Sequence, residues 1–288
     1  MTARFEPGSI RRREGYVELS DRGERYRRDW IPPEADRVLV LVHGFAEHTG
    51  RYDEMAMHFA ERGFAVHAYD QAGHGRTVGP RGHVDRFARL PEEVVRFCEI
   101  VGAEHPGRPL TLLGHSMGGL VVTAAAAFHR PPIDRLVLSG AALDLAGGGA
   151  SRRFALAVAR LLSRIAPRVA FATGLDAGGL SRDPEVVRRY LEDPFVEDRM
   201  TARFAAGMNA TVEALQSAGS QIEIPVLVMH GAADPICPAE GSRRLHAELS
   251  PAVAAQSALR IYPDLRHEIF NEPERAQVWQ DVLDWLEA

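Results

Sequence analysis

Ser116 stands in the sequence Gly114-His115-Ser116-Met117-Gly118, a Gly-x-Ser-x-Gly pattern. The apolar run at residues 109–113 is typical of a buried strand, and residues 119–128 are typical of a buried helix. Between two such elements the pattern predicts a sharp turn that holds the serine hydroxyl out of the sheet. The helix that follows directs its free N–H groups toward the hydroxyl. This arrangement favours nucleophilic attack by the Ser116 side chain.

A serine nucleophile requires a general base, and the base requires an acid that orients it. Where a serine lies on this kind of turn, the three groups follow along the chain in the order serine, acid, histidine. Asp234 follows a strand pattern at residues 225–231, and His267 follows another at residues 258–263. Side chains just past the carboxyl ends of parallel strands meet at one edge of the sheet. We therefore predict a triad of Ser116, Asp234 and His267.

Asp144 is a second candidate for the acid. It follows a strand pattern at residues 135–139, and some hydrolases take their acid from a strand in that earlier position. A search for the acid by strand position alone therefore leaves both Asp144 and Asp234 as candidates.

The amides that would stabilise a tetrahedral intermediate also have a predicted source. Residues 38–42 form a strand pattern, and His43-Gly44-Phe45 turns out of that strand. The N–H groups of Phe45 and of Met117, the residue after the nucleophile, are the predicted oxyanion donors. Chemistry of this kind requires neither a metal nor a cofactor, and we predict none.

The elements around these residues alternate between strand and helix patterns, which predicts an α/β fold with a mostly parallel central sheet flanked by helices. Residues 14–30 are an exception, because they predict an antiparallel opening hairpin. The alternation stops in a run of three glycines after Leu145 and resumes only much later. We predict a core formed by residues 1–145 and 218–288, with residues 146–217 inserted as a helical cap over the site.

The first helix predicted in this cap, residues 151–166, is amphipathic, with apolar residues on one stripe and arginines on the opposite face. The stripe contains Phe154, Val158, Leu161, Leu162 and Ile165, and the basic face contains Arg153, Arg160 and Arg164. One interpretation is that the stripe packs on the core and lines a lipid tunnel, with Val158 and Leu162 against the substrate. The other is that the helix lies in a membrane interface, which predicts peripheral membrane contact through the cap.

Composition limits the classes of protein to consider. A chain of 288 residues with 45% hydrophobic residues can bury a full core, and its net charge of −5 gives no reason to expect a nucleic-acid partner. Two cysteines, Cys98 and Cys237, are too few for a disulfide framework and fit a reducing compartment. The first residues lack the apolar segment of a secretory signal, and no apolar run reaches the length of about 18 residues that spans a bilayer. We therefore expect a cytoplasmic protein.

Seven segments of the chain resemble the monoacylglycerol lipases and the related lysophospholipase-like α/β hydrolases. They are HGFAEHTGRY (43–52), YDQAGHGRTVGPRGHV (69–84), LLGHSMGGL (112–120), LVLSGAALDL (136–145), SRDPEVVRRYLEDPFV (181–196), PVLVMHGAADPIC (225–237) and IYPDLRHEIFNEPE (261–274). The serine and HG motifs are shared by many α/β hydrolases, whereas GHSMGG together with GPRGHV and HEIFNEPE is much narrower. Ala72 stands where relatives usually have arginine, and Ala141 where they often have proline. Neither departure lies in the triad, so both bear on lipid preference rather than on the chemistry.

The resemblance implies an α/β-hydrolase fold and a serine hydrolase that cleaves carboxylic esters of lipids. The expected reaction converts a monoacylglycerol to glycerol and a free fatty acid through an acyl-enzyme on Ser116. The resemblance favours Asp234 over Asp144 as the acid. It also implies that Glu47 and Arg51 contact the polar head of this small lipid ester, and a solvated surface ion pair is the alternative for these two residues. A broad carboxylesterase or lysophospholipase with the same triad is the alternative enzyme, and a non-catalytic binding protein of the same fold is the alternative outside catalysis.

Overall fold

A computed structural model describes residues 9–20, 23–144 and 150–288 of the chain, with the backbone alone at residues 150–154. The described strands are β1 (Arg11–Ser20), β2 (Gly23–Ile31), β3 (Arg37–Val42), β4 (Phe64–Tyr69), β5 (Leu110–His115), β6 (Arg135–Ser139), β7 (Ala170–Ala172), β8 (Arg199–Thr201), β9 (Val226–Gly231) and β10 (Ala258–Tyr262). The described α-helices are α1 (Asp53–Ala60), α2 (Arg89–Glu104), α3 (Met117–Phe128), α4 (Ala150–Ile165), α5 (Pro184–Glu192), α6 (Ala202–Ala214), α7 (Glu240–Ala247), α8 (Pro251–Ala254) and α9 (Arg275–Glu287). The predicted glycine run after Leu145 and the side chains of Arg153 and Phe154 lie outside the described residues.

Eight of the strands form one sheet in the order β1-β2-β4-β3-β5-β6-β9-β10. β1 pairs antiparallel with β2, and β2 pairs antiparallel with β4, so the predicted opening hairpin forms one edge. The pairs from β4 through β3, β5, β6 and β9 to β10 are all parallel. The prediction of a mostly parallel central sheet is confirmed, and the carboxyl ends of β3, β5, β9 and β10 lie along one edge.

The strands are buried on both faces because helices cover each side of the sheet. Successive side chains of β3 point to opposite faces of the sheet. Val38 and Val40 belong to the apolar cluster that contains α2 and α3. Leu39 and Leu41 point to the opposite face and pack in the cluster that contains α1 and α9. Burial of each such side chain stabilises the fold by about 1.5–3 kcal/mol, so the sheet is a rigid platform for the loops that follow it.

The segment between β6 and β9 interrupts the alternation of strands and helices, and we call its described part, residues 150–217, the insert. It contains α4, α5 and α6 together with β7 and β8, which pair antiparallel with each other. The expectation of a wholly helical segment therefore missed two strands. Each has only three residues, too few to show a period-two pattern.

Part of the apolar stripe of α4 is exposed. Leu161 is 58% exposed and Ile165 is 70% exposed, whereas Ala159, on another face of the same helix, is buried. The interpretation that this stripe packs on the core is therefore wrong for Leu161 and Ile165. In the described part of the chain, none of the helices is both long enough and apolar enough to span a bilayer.

Candidate active site

Ser116 lies on the sharp turn between β5 and α3 that the sequence predicts. Its backbone has a φ of 51° and a ψ of −119°, a strained conformation for a residue with a side chain. Hydrogen bonds on both sides hold it, because Ser116 N–H donates to the Ser139 carbonyl at 2.9 Å and the Ser116 carbonyl accepts from Leu120 at 3.1 Å and Ala142 at 3.0 Å. The strain is therefore fixed by surrounding structure, and the hydroxyl is directed out of the sheet.

The turn passes close to the end of β3, which explains two of its glycines. A side chain at Gly118 would run into the backbone carbonyls of Val42 and His43. A Cβ atom at Gly44 would lie 3.1 Å from the Cβ atom of Ser116. The loop after β3 and the serine turn are therefore in direct contact, and small residues at these positions permit that approach.

His267 connects the serine to a buried acid. Its Nε2 atom lies 2.8 Å from Ser116 Oγ, and its Nδ1 atom lies 2.7 Å from Asp234 Oδ2. His267 is only 3% exposed, and the Asp234 side chain is fully buried. Both distances are those of hydrogen bonds, so a proton can pass from the hydroxyl to the imidazole while the carboxylate fixes the other nitrogen.

Four donors surround the Asp234 carboxylate. Oδ1 accepts from the backbone N–H groups of Ile236 at 2.8 Å and Cys237 at 3.0 Å. Oδ2 lies within hydrogen-bond distance of His267 and of His230 Nε2, which is 3.1 Å away. Burial raises the pKa of Asp234, but the hydrogen bonds from His230 and His267 outweigh burial and hold that pKa well below its usual range. The acid therefore carries a negative charge at neutral pH.

His230 is one residue of this site that the sequence does not single out. It lies near the end of β9, is fully buried, and has its Nε2 atom 2.8 Å from the Cys237 carbonyl as well as near Asp234. Because a carbonyl only accepts, Nε2 carries a proton, and Nδ1 lies 2.7 Å from the Ser242 hydroxyl. A histidine four residues before the acid, on the strand that delivers it, was the available signal.

Asp144, the other candidate acid, lies on the loop after β6. Its carboxylate is 3.9 Å from the Arg244 guanidinium, and its side chain is 36% exposed. The His267 nitrogen that an orienting acid would contact is bonded to Asp234. The structure therefore brings Asp234, and not Asp144, to the histidine.

The two predicted oxyanion donors are neighbours in the chain of Ser116 and of Gly44, which contacts Ser116. Met117 N–H lies at the first position of α3, and Phe45 follows Gly44 on the loop that touches the serine. Within the described residues, neither backbone N–H donates to a backbone carbonyl. The Phe45 ring packs against His74 and Phe204, which anchors that loop. Among the described residues, both amides therefore keep the free donor that the predicted oxyanion role requires.

Glu47 and Arg51 belong to a buried ionic network rather than to a solvated surface pair. Arg51 binds both carboxylate oxygens of Glu268, at 2.6 and 2.8 Å, and Glu47 at 3.1 Å. Glu47 also accepts from the Gly44 N–H and from the Tyr52 hydroxyl. Glu47 is 3% exposed, so the alternative of a solvated pair is wrong.

The charges of this network hold one another in the ionised state. Burial lowers the pKa of Arg51, but the Glu268 and Glu47 carboxylates outweigh burial and raise that pKa further above its usual range. Burial raises the pKa of Glu268, but Arg51 lowers it overall. A stable ion network therefore lies directly behind the loop that carries Phe45.

Comparison with known proteins places the chain in a family. Residues 33–274 match the model of a family described as serine aminopeptidase S33. The chain belongs to this family. A monoacylglycerol lipase from Mycolicibacterium smegmatis is 37% identical over 259 residues, which cover 89% of this chain and 90% of that protein. The resemblance predicted from the sequence is therefore confirmed.

This chain has the same fold as solved structures of monoacylglycerol lipases. The crystal structure of a Paleococcus ferrophilus monoacylglycerol lipase has a TM-score of 0.81 and 35% identity, covering 92% of this chain and 98% of that chain. A soluble variant of Saccharomyces cerevisiae monoglyceride lipase in complex with a substrate analog has a TM-score of 0.82 and 26% identity, covering 94% of each chain. The predicted α/β-hydrolase fold is confirmed.

The two other residues predicted to contact the substrate, Val158 and Leu162, lie on α4. Val158 is 37% exposed, and Leu162 is half-buried. Their assignment to the substrate stays a prediction.

Residues that could hold a metal lie apart from the triad. Among the described residues, His67, Glu104 and His105 place one ligand atom each within 4.8 Å of one another. Glu104 is already bound by Arg27 at 2.7 Å, and the Arg27 guanidinium lies 3.0 Å from His67 Nδ1. A cation at this position would meet the fixed positive charge of Arg27.

Proposed function

We propose that this serine hydrolase cleaves monoacylglycerols to glycerol and a free fatty acid. The observation that carries the proposal is the continuous hydrogen-bonded path from Ser116 Oγ through His267 to Asp234, set on a strained turn. The family match and the monoacylglycerol lipase relatives support the substrate class. We assign Ser116 as the nucleophile, His267 as the base and Asp234 as the acid.

The first half of the reaction forms an acyl-enzyme. His267 takes the proton from Ser116 Oγ as that oxygen attacks the ester carbonyl. The negative charge that develops on the carbonyl oxygen is stabilised by the N–H groups of Phe45 and Met117, each contributing about 3 kcal/mol to lowering the barrier. Asp234, ionised and fully bonded, stabilises the imidazolium that forms on His267.

The second half releases the two products. His267 returns its proton to the departing glycerol oxygen, and a water molecule then attacks the acyl-enzyme with His267 again acting as base. The fatty acid leaves and Ser116 is restored. No step requires a group beyond these side chains, the two amides and water.

We assign two roles to Glu47 and Arg51. They position the loop that carries Phe45, and they form the polar side of the site that binds the glycerol head of the substrate. Glu47 holds the N–H of Gly44, the residue before Phe45, so the network sets the direction of the Phe45 amide. The Arg51 guanidinium lies over the Tyr190 ring of the insert, with its Cζ atom 4.9 Å from the ring centre. This polar side of the site therefore extends from the core to the insert. A glycerol hydroxyl would find charged partners on this side.

Residues 146–217 are proposed to form the cap of the site, over a core of residues 1–145 and 218–288. We further propose that α4 contacts a lipid surface peripherally. Its exposed apolar side chains, together with Val169 and Phe171 on the following segment, support this assignment. In this arrangement we assign Leu162, which is half-buried, to contact with the acyl chain.

The test is a panel of mono-, di- and triacylglycerols with lysophospholipids of the same acyl chain. A capped site should give monoacylglycerols the highest kcat/KM, because the cap leaves room for one chain and a small head. Comparable rates on triolein emulsions would contradict the proposal. Higher rates on lysophospholipids would establish the alternative lysophospholipase activity, and activity confined to short soluble esters would establish a carboxylesterase.

A further inference from the structure

A cavity lies between the insert and the core, and we call it the insert–core groove. Its volume is about 620 Å³, within the range of small-molecule sites. One wall comes from α4 and α6 of the insert, and the other comes from the start of α2 and the end of α3. Its apolar lining includes Phe87, Pro91, Ala124, Phe128, Ala206 and Ala210.

The groove is separate from the catalytic site. None of the triad residues and neither oxyanion donor lines it. Helix α3 begins at Met117, beside the nucleophile, and ends at Phe128, in the groove wall. At a rise of 1.5 Å per residue, the two ends are about 16 Å apart. A ligand held here would leave Ser116 accessible.

Four arginines line the groove, and two of them have no anionic partner within the described residues. Arg86 is paired with Glu92 at 2.7 Å, and Arg160 is paired with Glu213 at 2.7 Å. Arg164 and Arg203 lack such a carboxylate in the described part of the chain.

Arg203 is the clearest sign that an acceptor is missing. Its Nε atom is buried and has no hydrogen-bond partner among the described residues. A buried donor left unpaired costs about 1–3 kcal/mol, and more when it belongs to a charged group. The acidic residue that lines the groove, Asp85, lies 3.2 Å from His83. The groove therefore offers an apolar floor with unpaired positive charge at its rim.

We propose that the groove binds one long-chain fatty acid, the kind of product that the proposed function releases, on which this assignment rests. The carboxylate would accept from Arg164 and Arg203, where a guanidinium offers paired donors in the geometry that a carboxylate fits. The acyl chain would lie along the small side chains of α6, Ala206, Ala210 and Ala214, and against Phe128. From Arg203 to Ala214 the floor is about 16 Å long, which accommodates a chain of that class.

A fatty acid in this position would link two parts of the fold. Its carboxylate would be held by α4 and α6, and its chain would also contact α2 and α3. Because binding to the folded state stabilises it, saturating fatty acid should raise Tm. The site would retain a product molecule outside the catalytic site.

The test uses the full chain with its nucleophile blocked. A long-chain alkyl fluorophosphonate fills the catalytic site, and mass spectrometry counts the adduct. Binding of oleate below its critical micelle concentration is then measured by equilibrium dialysis. We expect one oleate per blocked molecule. The double variant Arg164→Gln/Arg203→Gln should raise Kd at least about tenfold, because each lost bond to a charged group contributes on that scale.

Two further variants complete the design. Arg243→Gln removes an exposed arginine on α7 that is paired with Glu240, and it should bind oleate as wild type does. Ala210→Trp fills the groove without a change of charge, and it should abolish binding even if the arginine variant folds poorly. Oleate should raise the Tm of wild type and leave that of Ala210→Trp unchanged.

Several outcomes would overturn the proposal: no oleate bound to blocked wild type, equal binding by the double variant, or arginine-dependent binding only to vesicles of anionic phospholipid. The last result would assign the groove to a membrane headgroup. Failure of the phosphonate to label Ser116 would count against the proposed function instead. The arginine dependence of oleate binding would then be measured on unblocked protein, so the two failures are distinguishable.

Discussion

Asp234→Asn should inactivate the enzyme because of how the carboxylate is bonded. Oδ1 accepts from two backbone N–H groups, so in the variant only the amide oxygen can occupy that position. The amide NH₂ group must then replace Oδ2 and face His267 Nδ1. That nitrogen can bond to an NH₂ group only as an acceptor, which moves the imidazole proton to Nε2. His267 would then present a proton to Ser116 and could not accept one.

The expected loss is about 10⁴-fold in kcat, equivalent to about 5 kcal/mol of barrier, the scale at which a wrong histidine tautomer disables such a triad. Stability should also fall, by about 1.5–3 kcal/mol, because hydrogen bonds to a charged carboxylate are lost. The pKa of Asp234 is lowered by folding, so its contribution to stability is present above the unfolded-state pKa of about 3.9 and is lost as pH falls below it. The stability difference between wild type and variant should therefore shrink in acid.

The assay is hydrolysis of p-nitrophenyl butyrate, with the folded fraction checked by thermal melting at several pH values. Asp144→Asn is the matched control, and it should lose less than about threefold, as expected for a half-exposed side chain. Asp234→Asn activity within tenfold of wild type would refute the tautomer argument. A greater loss in Asp144→Asn would assign the acid to the loop after β6.

Three further outcomes are expected. Ser116→Ala should fold normally and lose at least about 10³-fold in ester hydrolysis, and labelling of wild type by a fluorophosphonate at any other residue would refute the assignment. The Cys237 thiol is buried and interacts with the Ser116 side chain, and burial together with the negative charge of Asp234 raises the pKa of the thiol. Maleimide should therefore react slowly with Cys237, and every molecule that carries the adduct should be inactive. The Cys237→Ala variant should stay active. Leu161→Glu/Ile165→Glu should reduce co-sedimentation with lipid vesicles while Gln280→Glu should not, and absence of wild-type binding would remove the membrane assignment.

The sequence could place the three residues of the predicted triad at one edge of the sheet, because each one follows a strand that can be recognised locally. The apolar runs place Ser116, Asp234 and His267 at carboxyl ends of parallel strands, and a parallel sheet brings those ends together. His230 was not predicted because its role depends on side-chain direction within a fully buried strand. In such a strand every residue is buried, so the pattern does not distinguish a core histidine from one that donates to the acid.

The ionic network and the insert required the tertiary structure. Arg51 and Glu268 are separated by 217 positions in the chain, so nothing local indicates that Glu47 and Arg51 belong to a buried network. The direction of the α4 stripe is likewise decided by which face the core covers, since an amphipathic period is the same for a packed helix and for one at a lipid surface. Sequence periodicity identified the helix, and only packing could identify its exposed face.

The Arg51 network joins the two loops that must cooperate in catalysis. Glu47 holds the loop of Phe45, which would bind the oxyanion, and Glu268 immediately follows the base on the loop after β10. The Arg51 guanidinium binds both carboxylates, so a buried ionic group links the loop that carries Phe45 to the loop that carries His267. Loss of Arg51 would leave two buried carboxylates without their cation. Removing one partner of a single buried ion pair typically lowers the free energy of unfolding by about 3–5 kcal/mol. The two residues that the sequence predicts as substrate contacts therefore have a structural role in the fold, because they connect these two loops.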